Sequence, residues 1–415
     1  MTIQKLQTYK KILLVGYGKE GHAVEKFLQK FHPQASITRT DQKDGPDYLL
    51  KQRDFDLAVK SPGVPGRLLS IPYTTGTNLF FGNTKATVVG VTGSKGKSTT
   101  ASLIAHMLKH EKDDVILAGN IGVPLVSLLL NENICESTIV VAELSSYQLE
   151  DIMYSPHVSV FTTIFPEHIP YHETVEQYYE AKHNLIAHTK TNDVVVYNPV
   201  DPIQQKWIEN IDCKVIPYTQ MITEDIAVIP LLGKHNRDNI SAACTACYAL
   251  GIPYSRSIPE YFADFAPLPH RLQIIKTVHD ITYVDDAIST APESTIAGLK
   301  ALESIAPIGS LMLGGQDRHL TYEKLAHEIV SRKIPVLVFF PETGVLIEKA
   351  IQEISPPAYK PLVLHTSSMK DAVAFCARQT PKKHICLLST ASPSYTVWKN
   401  FEEKGDFFQK YVAML

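Results

Sequence analysis

A glycine-rich loop that ends in lysine and serine lies in the first quarter of the chain. The segment VTGSKGKSTT, residues 91–100, follows an apolar run and opens a helical pattern. Glycines at such a junction let backbone amides surround a phosphate, while lysine reaches the β- and γ-phosphates and serine binds Mg²⁺. Val91 stands where the full pattern has glycine, but a structural turn would not require Lys97 and Ser98. The segment therefore predicts an ATP or GTP site. Its candidate binding residues are Gly93, Ser94, Lys95, Gly96, Lys97, Ser98 and Thr99.

A second glycine loop, VGYGKEG, follows the first apolar strand. It contains Gly16, Gly18 and Gly21, and Asp41 closes the next predicted strand. This spacing is typical of dinucleotide-binding proteins, but the unit ends before a full dinucleotide fold could form. Three interpretations stay open: a structural turn, a site for a phosphate-bearing ligand such as a UDP-sugar, and an NAD site.

Several single residues could do chemistry but carry weak signals by themselves. Glu143 ends the apolar strand of VVAELSS, where a carboxylate near a phosphate loop commonly positions Mg²⁺. His168 also ends a strand, in TTIFPEHIPYH, although a lone histidine is more often structural. Lys182, in the helical VEQYYEAKHNLI, is by itself typical of a solvent-exposed lysine. Asn236 and Arg271 are by themselves typical of a helix cap and a surface ion pair.

The elements that must position these residues alternate along the whole chain. Apolar, β-rich runs and amphipathic helical stretches succeed one another, which predicts an α/β protein with largely parallel sheets. Turn-forming and proline-rich connectors, IPYTTGTN and FADFAPLPHR, divide it. We predict three domains: residues 1–76, Rossmann-like; residues 77–267, a central P-loop ATPase-like parallel sheet; and residues 268–415, again Rossmann-like.

Composition excludes several classes of protein. The chain has 415 residues, 44% of them hydrophobic and 20% charged, with a formal net charge of −3. This balance offers no basic surface for nucleic acid, and no apolar run approaches the ~20 residues of a membrane span. The first 30 residues predict a strand and a glycine loop instead of a signal peptide. The six cysteines are scattered, and CTAC lies in a helical pattern, so buried reduced thiols and a cytoplasmic location are expected.

The order of nine short segments along the chain resembles the Mur ligases. The segments are SPGVP, VTGSKGKST, GNIGVPL, ELSSYQLE, YEAKHNLI, GKHNRDNISAA, HRLQ, LGGQDR and WKNFEEKGDFF. Together they span essentially the whole chain, and they are most similar to the branch that joins D-glutamate to UDP-N-acetylmuramoyl-L-alanine. Nine segments in one order are far more specific than a phosphate loop alone.

The resemblance implies a role for each weak candidate. It implies catalytic Lys97, His168 and Lys182, with Lys182 carbamylated by CO₂ so that it becomes an anionic metal ligand. It implies two Mg²⁺ ions, held by Ser98, Glu143, His168 and the Lys182 carbamate. Asn236, Arg271 and Asp286 match positions that bind the adenosine part of ATP. The uridine-nucleotide contacts implied are Gly16, Gly18, Asp41, Ser61, Gly63, Asn120 and His168. The amino-acid contacts implied are Thr290, Arg318, Ser394 and Phe401.

The implied reaction is ATP-driven amide formation through an acyl phosphate, with glutamate as the second substrate and the protein a monomer. The nearest alternative adds L-glutamate or another amino acid to the same acceptor. A folylpolyglutamate synthase would not need the N-terminal domain. A nicotinamide-dependent dehydrogenase does not explain the phosphate loop, and a catalytically silent nucleotide-binding regulator does not explain the retained Lys97, Glu143, His168 and Lys182.

Five positions depart from the family pattern. Lys95 stands where asparagine is usual in the phosphate loop, and Glu167 and Pro170 replace the acids that usually flank His168. Ile288, in YVDDAISTAPEST, stands where a lysine is expected, and Arg318 stands near the place of a family lysine. The amino-acid pocket is therefore where this chain is expected to differ most.

Overall fold

The computed structural model describes residues 1–218, 235–252, 258–266, 268–303 and 305–415. Three β-sheets alternate with helices along these residues, and the strands of each sheet are parallel except for one antiparallel pair in the third. The predicted α/β class is confirmed. The predicted boundary at residue 267 lies outside the described residues, as do Gly233 and Lys234 of the GKHNRDNISAA segment.

The first sheet lies nearest the N-terminus. Its strands are β1 (Lys11–Val15), β2 (Ser36–Thr40), β3 (Leu57–Lys60) and β4 (Tyr73–Thr75), in the order β2-β1-β3-β4. Its helices are α1 (Ile3–Leu6), α2 (Lys19–Phe31) and α3 (Gly76–Phe81). Val24 and Leu28, four residues apart on one face of α2, are buried in the core of this sheet.

The second sheet carries the predicted phosphate loop. Its strands are β5 (Thr87–Thr92), β6 (Val115–Gly119), β7 (Ile139–Glu143), β8 (Val158–Phe161), β9 (Val194–Tyr197) and β10 (Lys214–Pro217), in the order β10-β9-β8-β5-β7-β6. Its helices are α4 (Lys97–Lys109), α5 (Leu125–Leu128), α6 (Ser146–Leu149), α7 (Ile169–His172), α8 (Val175–His183), α9 (Pro202–Trp207), α10 (His235–Ala249) and α11 (Ile258–Phe262). The valine-rich strands β5, β7 and β8 are almost wholly buried, as expected of central parallel strands.

The third sheet completes the fold. Its strands are β11 (Gln273–Val278), β12 (Ile281–Asp285), β13 (Ile308–Gly315), β14 (Val336–Glu342), β15 (Leu362–His365) and β16 (His384–Leu388), in the order β11-β12-β16-β13-β14-β15. Its helices are α12 (Pro292–Leu302), α13 (Glu323–Ser331), α14 (Thr343–Ile354), α15 (Met369–Gln379) and α16 (Phe401–Ala413). The edge strand β11 pairs antiparallel with β12.

The described residues form two compact units. Unit 1 contains the first two sheets and ends at Phe265, and unit 2 contains the third sheet and runs from Ala266 to Leu415. A division of unit 1 at residue 76, where α3 begins, stays a prediction. Cys244 and Cys247 are buried in α10, as expected for the CTAC segment. Among the helices that the structure describes, none is long and apolar enough to cross a membrane.

Candidate active site

The predicted phosphate loop connects β5 to α4. Gly96 precedes the first turn of α4 with a φ of 91°, a left-handed conformation that favours glycine. A Cβ atom on Gly96 would overlap the side-chain oxygen of Asn239 in α10. The Asn239 side-chain amide donates to the side-chain oxygen of Asn236 at 2.8 Å. The side chain of Asn239 therefore lies between the loop and Asn236, which is predicted to bind ATP.

Two lysines converge on the backbone of this loop. Lys97 Nζ donates to the carbonyl oxygens of Gly93 and Ser94, each at 2.9 Å, and Lys182 Nζ donates to that of Gly93 at 2.7 Å. Lys182 is 1% exposed, because it shares the buried face of α8 with Tyr178. Burial, and then the charge of Lys97, lowers the pKa of Lys182 well below its ordinary value. The interpretation of Lys182 as a solvent-exposed lysine is wrong.

A buried carboxylate lies beside the start of the same loop. Glu143 ends β7 and is in register with Val91 on the neighbouring β5. Its Oε1 accepts a hydrogen bond from the Asn120 side-chain amide at 2.7 Å. Its Oε2 is buried and has no hydrogen-bond partner among the residues that the structure describes. A buried carboxylate oxygen is costly without a partner, so Oε2 is suited to accept a cation.

His168 lies on the loop between β8 and α7. Its φ is 57°, and its side chain is 48% exposed. Its Nε2 is 4.0 Å from the carboxylate of Glu167, which also forms an ion pair with Lys95 at 3.1 Å. Burial lowers the pKa of His168 against the opposing charge of Glu167. The two departures at 95 and 167 therefore contact each other and link the phosphate loop to the His168 loop.

The N-terminal glycine loop is closed by the residues predicted with it. Ser61 Oγ donates to the carbonyl oxygen of Gly16 at 2.7 Å, and the backbone amide of Tyr17 donates to Asp41 at 2.7 Å. Gly16 has a φ of 83° and packs against Ser61, which explains the glycine. Around Gly18 and Gly63, no atom of the described residues lies within 4 Å of a Cβ placed on either glycine.

Buried polar contacts join the first sheet to the second. Lys60, which precedes Ser61, is fully buried and pairs with Asp151 at 2.6 Å and Glu150 at 3.3 Å. The hydroxyl of Tyr171, in α7, donates to Glu150 at 2.8 Å and lies 3.0 Å from the carbonyl oxygen of Pro62. Glu150 and Asp151 therefore bind Lys60, which precedes the SPGVP segment, and Glu150 also binds Tyr171 in α7, the helix that follows His168.

The predicted site residues from Arg271 onward belong to unit 2. Asp286 follows β12, Arg318 follows β13 and Ser394 follows β16. These strands are neighbours, so the three residues lie at the same edge of the third sheet. Arg318 is exposed, and Thr290, near the start of α12, is half-buried. Phe401 begins α16, and its ring centroid is 6.3 Å from that of His270.

Polar groups are buried beneath this edge. Asp286 accepts hydrogen bonds from Ser389 Oγ at 2.8 Å and from the backbone amide of Leu272 at 3.2 Å. Burial raises the pKa of Asp286 to about 6, and its hydrogen bonds and the charge of Arg271 oppose that rise. Arg271 Nε and Ser394 Oγ are buried without a hydrogen-bond partner in the part of the chain that the structure describes.

Known proteins are similar to this chain over most of its length. Residues 91–228 match the Mur ligase middle domain family. The chain is 34% identical to the UDP-N-acetylmuramoyl-L-alanine–L-glutamate ligase of Salinispora tropica over 388 residues, which cover 86% of this chain and 83% of that relative. The chain belongs to the Mur ligase family. This Mur ligase is also 32% identical to the UDP-N-acetylmuramoylalanine–D-glutamate ligase of Fervidobacterium nodosum, with 97% of this chain and 98% of that one covered.

Solved Mur ligases have the same fold. MurF of Thermotoga maritima, solved in complex with ADP, superposes with a TM-score of 0.63 at 18% identity over 99% of both chains. MurC of the same organism gives a TM-score of 0.60 at 16% identity, over 98% of this chain and 100% of that one. As a Mur ligase, the protein is an ATP-dependent ligase of peptidoglycan precursors, which confirms the predicted enzyme class.

One buried lysine of this Mur ligase could not be predicted from the sequence. Lys404 in α16 is fully buried, and its Nζ donates to Thr390 Oγ1, beside the edge that carries Ser394. Burial lowers the pKa of Lys404 to about 7, although Asp285 and Asp286 oppose that shift. In sequence, Lys404 stands among charged residues in NFEEKGDFF and reads as an ordinary surface lysine.

Proposed function

We propose that this Mur ligase joins D-glutamate to UDP-N-acetylmuramoyl-L-alanine with ATP, in the cytoplasm. The single observation that carries the ATP step is the convergence of Lys97 and Lys182 on the Gly93 carbonyl, beside the buried Glu143. The proposal for the acceptor and the amino acid rests on the relatives, since glutamate ligases of this acceptor match the chain almost from end to end.

The donor set near the loop fits magnesium. Glu143 Oε2 is a buried carboxylate oxygen without a described partner, and Ser98 in the first turn of α4 adds a hydroxyl. A carbamate on Lys182 would add further anionic oxygens, and His168 would serve a second ion. The carboxylate, hydroxyl and carbamate oxygens of this set are the hard ligands that suit Mg²⁺, and His168 would contribute its one nitrogen ligand. Bound there, Mg²⁺ would neutralise charge on the phosphates.

The environment of Lys182 favours its carbamylation. A lysine whose pKa is strongly lowered carries a neutral amine, which is the form that attacks CO₂. The new C–N bond converts the amine into a carbamate with one negative charge, and the amine proton leaves to solvent. The ammonium of Lys97, which shares the Gly93 carbonyl with Lys182, offsets that charge.

The residues then act by positioning and charge. The alanine carboxylate attacks the γ-phosphorus, ADP leaves, and an acyl phosphate forms. The amine of glutamate, after losing a proton, attacks the acyl carbon, and phosphate leaves as the amide forms. Lys97 stabilises charge on the transferred phosphoryl group. In unit 2, Arg271 Nε would bind ATP and Ser394 Oγ would bind glutamate, since neither atom has a hydrogen-bond partner among the described residues.

L-Glutamate is the second candidate amino acid. Two L-glutamate ligases, from Salinispora tropica and a Micromonospora strain, are 34% and 33% identical to this chain. Ile288 and Arg318 differ from the common pattern near the proposed pocket, which is consistent with a changed amino-acid site.

The deciding experiment measures phosphate release with ATP, Mg²⁺ and UDP-N-acetylmuramoyl-L-alanine. D-Glutamate, L-glutamate, D-aspartate and L-alanine are compared at equal concentration, and each product is identified by mass and chirality. We expect D-glutamate to be used at least tenfold better than any other. Preference for L-glutamate would replace the D-isomer in the proposal. Release with neither glutamate, from protein shown to bind ATP, would overturn the proposal.

A further inference from the structure

Two histidines and an aspartate form a compact cluster away from the phosphate loop. His106 and His110 lie four residues apart near the end of α4, and Asp264 follows α11 in the same unit. The two Nε2 atoms are 3.4 Å apart, and Asp264 Oδ1 is 3.1 Å from the Nε2 of His106 and 3.5 Å from that of His110. The three ligand atoms therefore form a nearly equilateral triangle.

This triangle has the dimensions of one face of a tetrahedral metal site. Zinc binds imidazole nitrogen and carboxylate oxygen at ~2.0–2.2 Å, and a tetrahedron with such bonds has edges of about 3.3–3.5 Å. The three distances in the cluster, 3.1, 3.4 and 3.5 Å, lie close to that range. Histidines at positions i and i+4 of a helix are a recurrent arrangement for holding zinc from one face.

The surroundings hold the two imidazoles in place. The His106 ring packs against Phe262 and Phe265, with centroids 6.2 and 5.2 Å away, and the His110 ring packs edge-on against Tyr261 at 5.9 Å. The carbonyl oxygen of Tyr261 is 2.9 Å from His106 Nε2 and offers a further ligand atom for a metal ion. The tyrosine hydroxyl itself donates to Glu111 at 2.6 Å.

We propose that His106, His110 and Asp264 bind a divalent transition-metal ion of the zinc class. Imidazole ligands favour Zn²⁺, Co²⁺ or Ni²⁺ over Mg²⁺, which prefers oxygen. The site is separate from the proposed magnesium site, and it fastens the residues that end unit 1 to the last turns of α4. Without a metal, the same three groups would share protons in a hydrogen-bonded network, and metal binding distinguishes the two arrangements.

Zn²⁺ alone is the probe, titrated into the metal-free full-length chain by calorimetry and by competition with a chromophoric chelator. The variants are His110→Gln and Asp264→Asn, and the matched control is His188→Ala, an exposed histidine distant in sequence from all three residues. Asp264→Asn is the decisive variant, because that side chain is 68% exposed and its loss should not affect folding. Thermal melting of each metal-free protein checks the fold, and Co²⁺ in place of Zn²⁺ reports tetrahedral geometry by its visible absorption.

We expect the wild-type chain and His188→Ala to bind one more zinc equivalent than the two site variants, or to bind it at least tenfold more tightly. The wild type should also melt at a higher temperature with Zn²⁺ than without it, and Asp264→Asn should not. Equal stoichiometry and affinity in all four proteins would place any bound zinc elsewhere and overturn the proposal, as would the absence of zinc binding at micromolar concentration.

Discussion

Lys182 and Lys404 are buried lysines whose surroundings disfavour a charged ammonium. Each is almost inaccessible to water, and burial lowers the pKa of each group. Lys182 faces the backbone of the phosphate loop, whereas Lys404 faces Thr390 with Asp285 and Asp286 near it. A neutral amine can be carbamylated, but only Lys182 has the charge of Lys97 close enough to offset the anion that would form.

At the residue scale, we predict that Lys182→Ala lowers the ligation rate on the order of 10²–10³-fold, because it removes an anionic group that helps organise the phosphoryl-transfer site. Added bicarbonate should restore part of the rate by placing a small anion in the space left by the side chain. The measurement is phosphate release with and without bicarbonate. Lys190→Ala, which changes an exposed lysine, is the control. Full activity of Lys182→Ala would refute the carbamate.

The sequence by itself supports predictions only for residues whose pattern is local. Gly96, Lys97 and Ser98 could be assigned because a phosphate loop is a contiguous pattern, and the structure gives Gly96 the left-handed backbone that the pattern requires. The burial of Lys182 could not be predicted from α8 alone, since that helix is only weakly amphipathic and is polar at most positions. Lys182 and Gly93 lie 89 residues apart in the sequence, so no local pattern predicts that Lys182 shares the Gly93 carbonyl with Lys97.

At the scale of elements, the Lys95–Glu167 pair joins two loops that carry the chemistry. Lys95 belongs to the phosphate loop, and Glu167 precedes His168 on the loop between β8 and α7. A backbone bridge between Lys95 and Thr163 holds the same two segments together. The two charges are complementary, so Lys95 and Glu167 form a contact that neither charge would form alone.

We predict a coupling free energy of about 0.2–1 kcal/mol between Lys95 and Glu167, because both side chains are partly exposed to solvent. A double-mutant cycle of Lys95→Gln and Glu167→Gln, followed by denaturant unfolding, measures it. The coupling should shrink at high salt. The exposed Lys349–Glu353 pair of α14 is the matched control and should couple more weakly. Zero coupling at low salt would contradict a direct ion pair.

The proposed zinc site formed by His106, His110 and Asp264 could also be predicted only in part from the sequence. The spacing of His106 and His110 is visible in the sequence, and α4 places both on one face of the helix. Asp264 lies more than 150 residues further along the chain, so no local pattern could connect the three. Contacts between distant elements are the part of a site that only tertiary structure supplies.

At the scale of the whole molecule, alternation of strands and helices was enough to predict three sheets. It could not predict that the first two sheets would form one compact unit. The reason lies in particular contacts: Lys60 with Asp151, and Tyr73 with the same aspartate, join the sheets through buried polar groups. Buried charges in sequence look like surface charges until their partners are known.

The last prediction concerns the stability of the whole chain against pH. Asp286 is 2% exposed, and burial raises its pKa from 3.8 to about 6. The folded protein therefore binds a proton more readily than the unfolded chain, so this stabilisation is fully present below pH 4 and is lost as the pH rises through 6. A difference of about two pKa units corresponds to roughly 3 kcal/mol at most.

We expect the wild-type melting temperature to fall relative to that of Asp286→Asn between pH 4 and 6.5. The control is Asp280→Asn, an exposed change in the turn between β11 and β12, whose melting temperature should depend on pH in the same way as that of the wild type. Parallel profiles for wild type and Asp286→Asn would show that the pKa of this carboxyl group is the same in the folded and unfolded states, contrary to the rise that its burial implies.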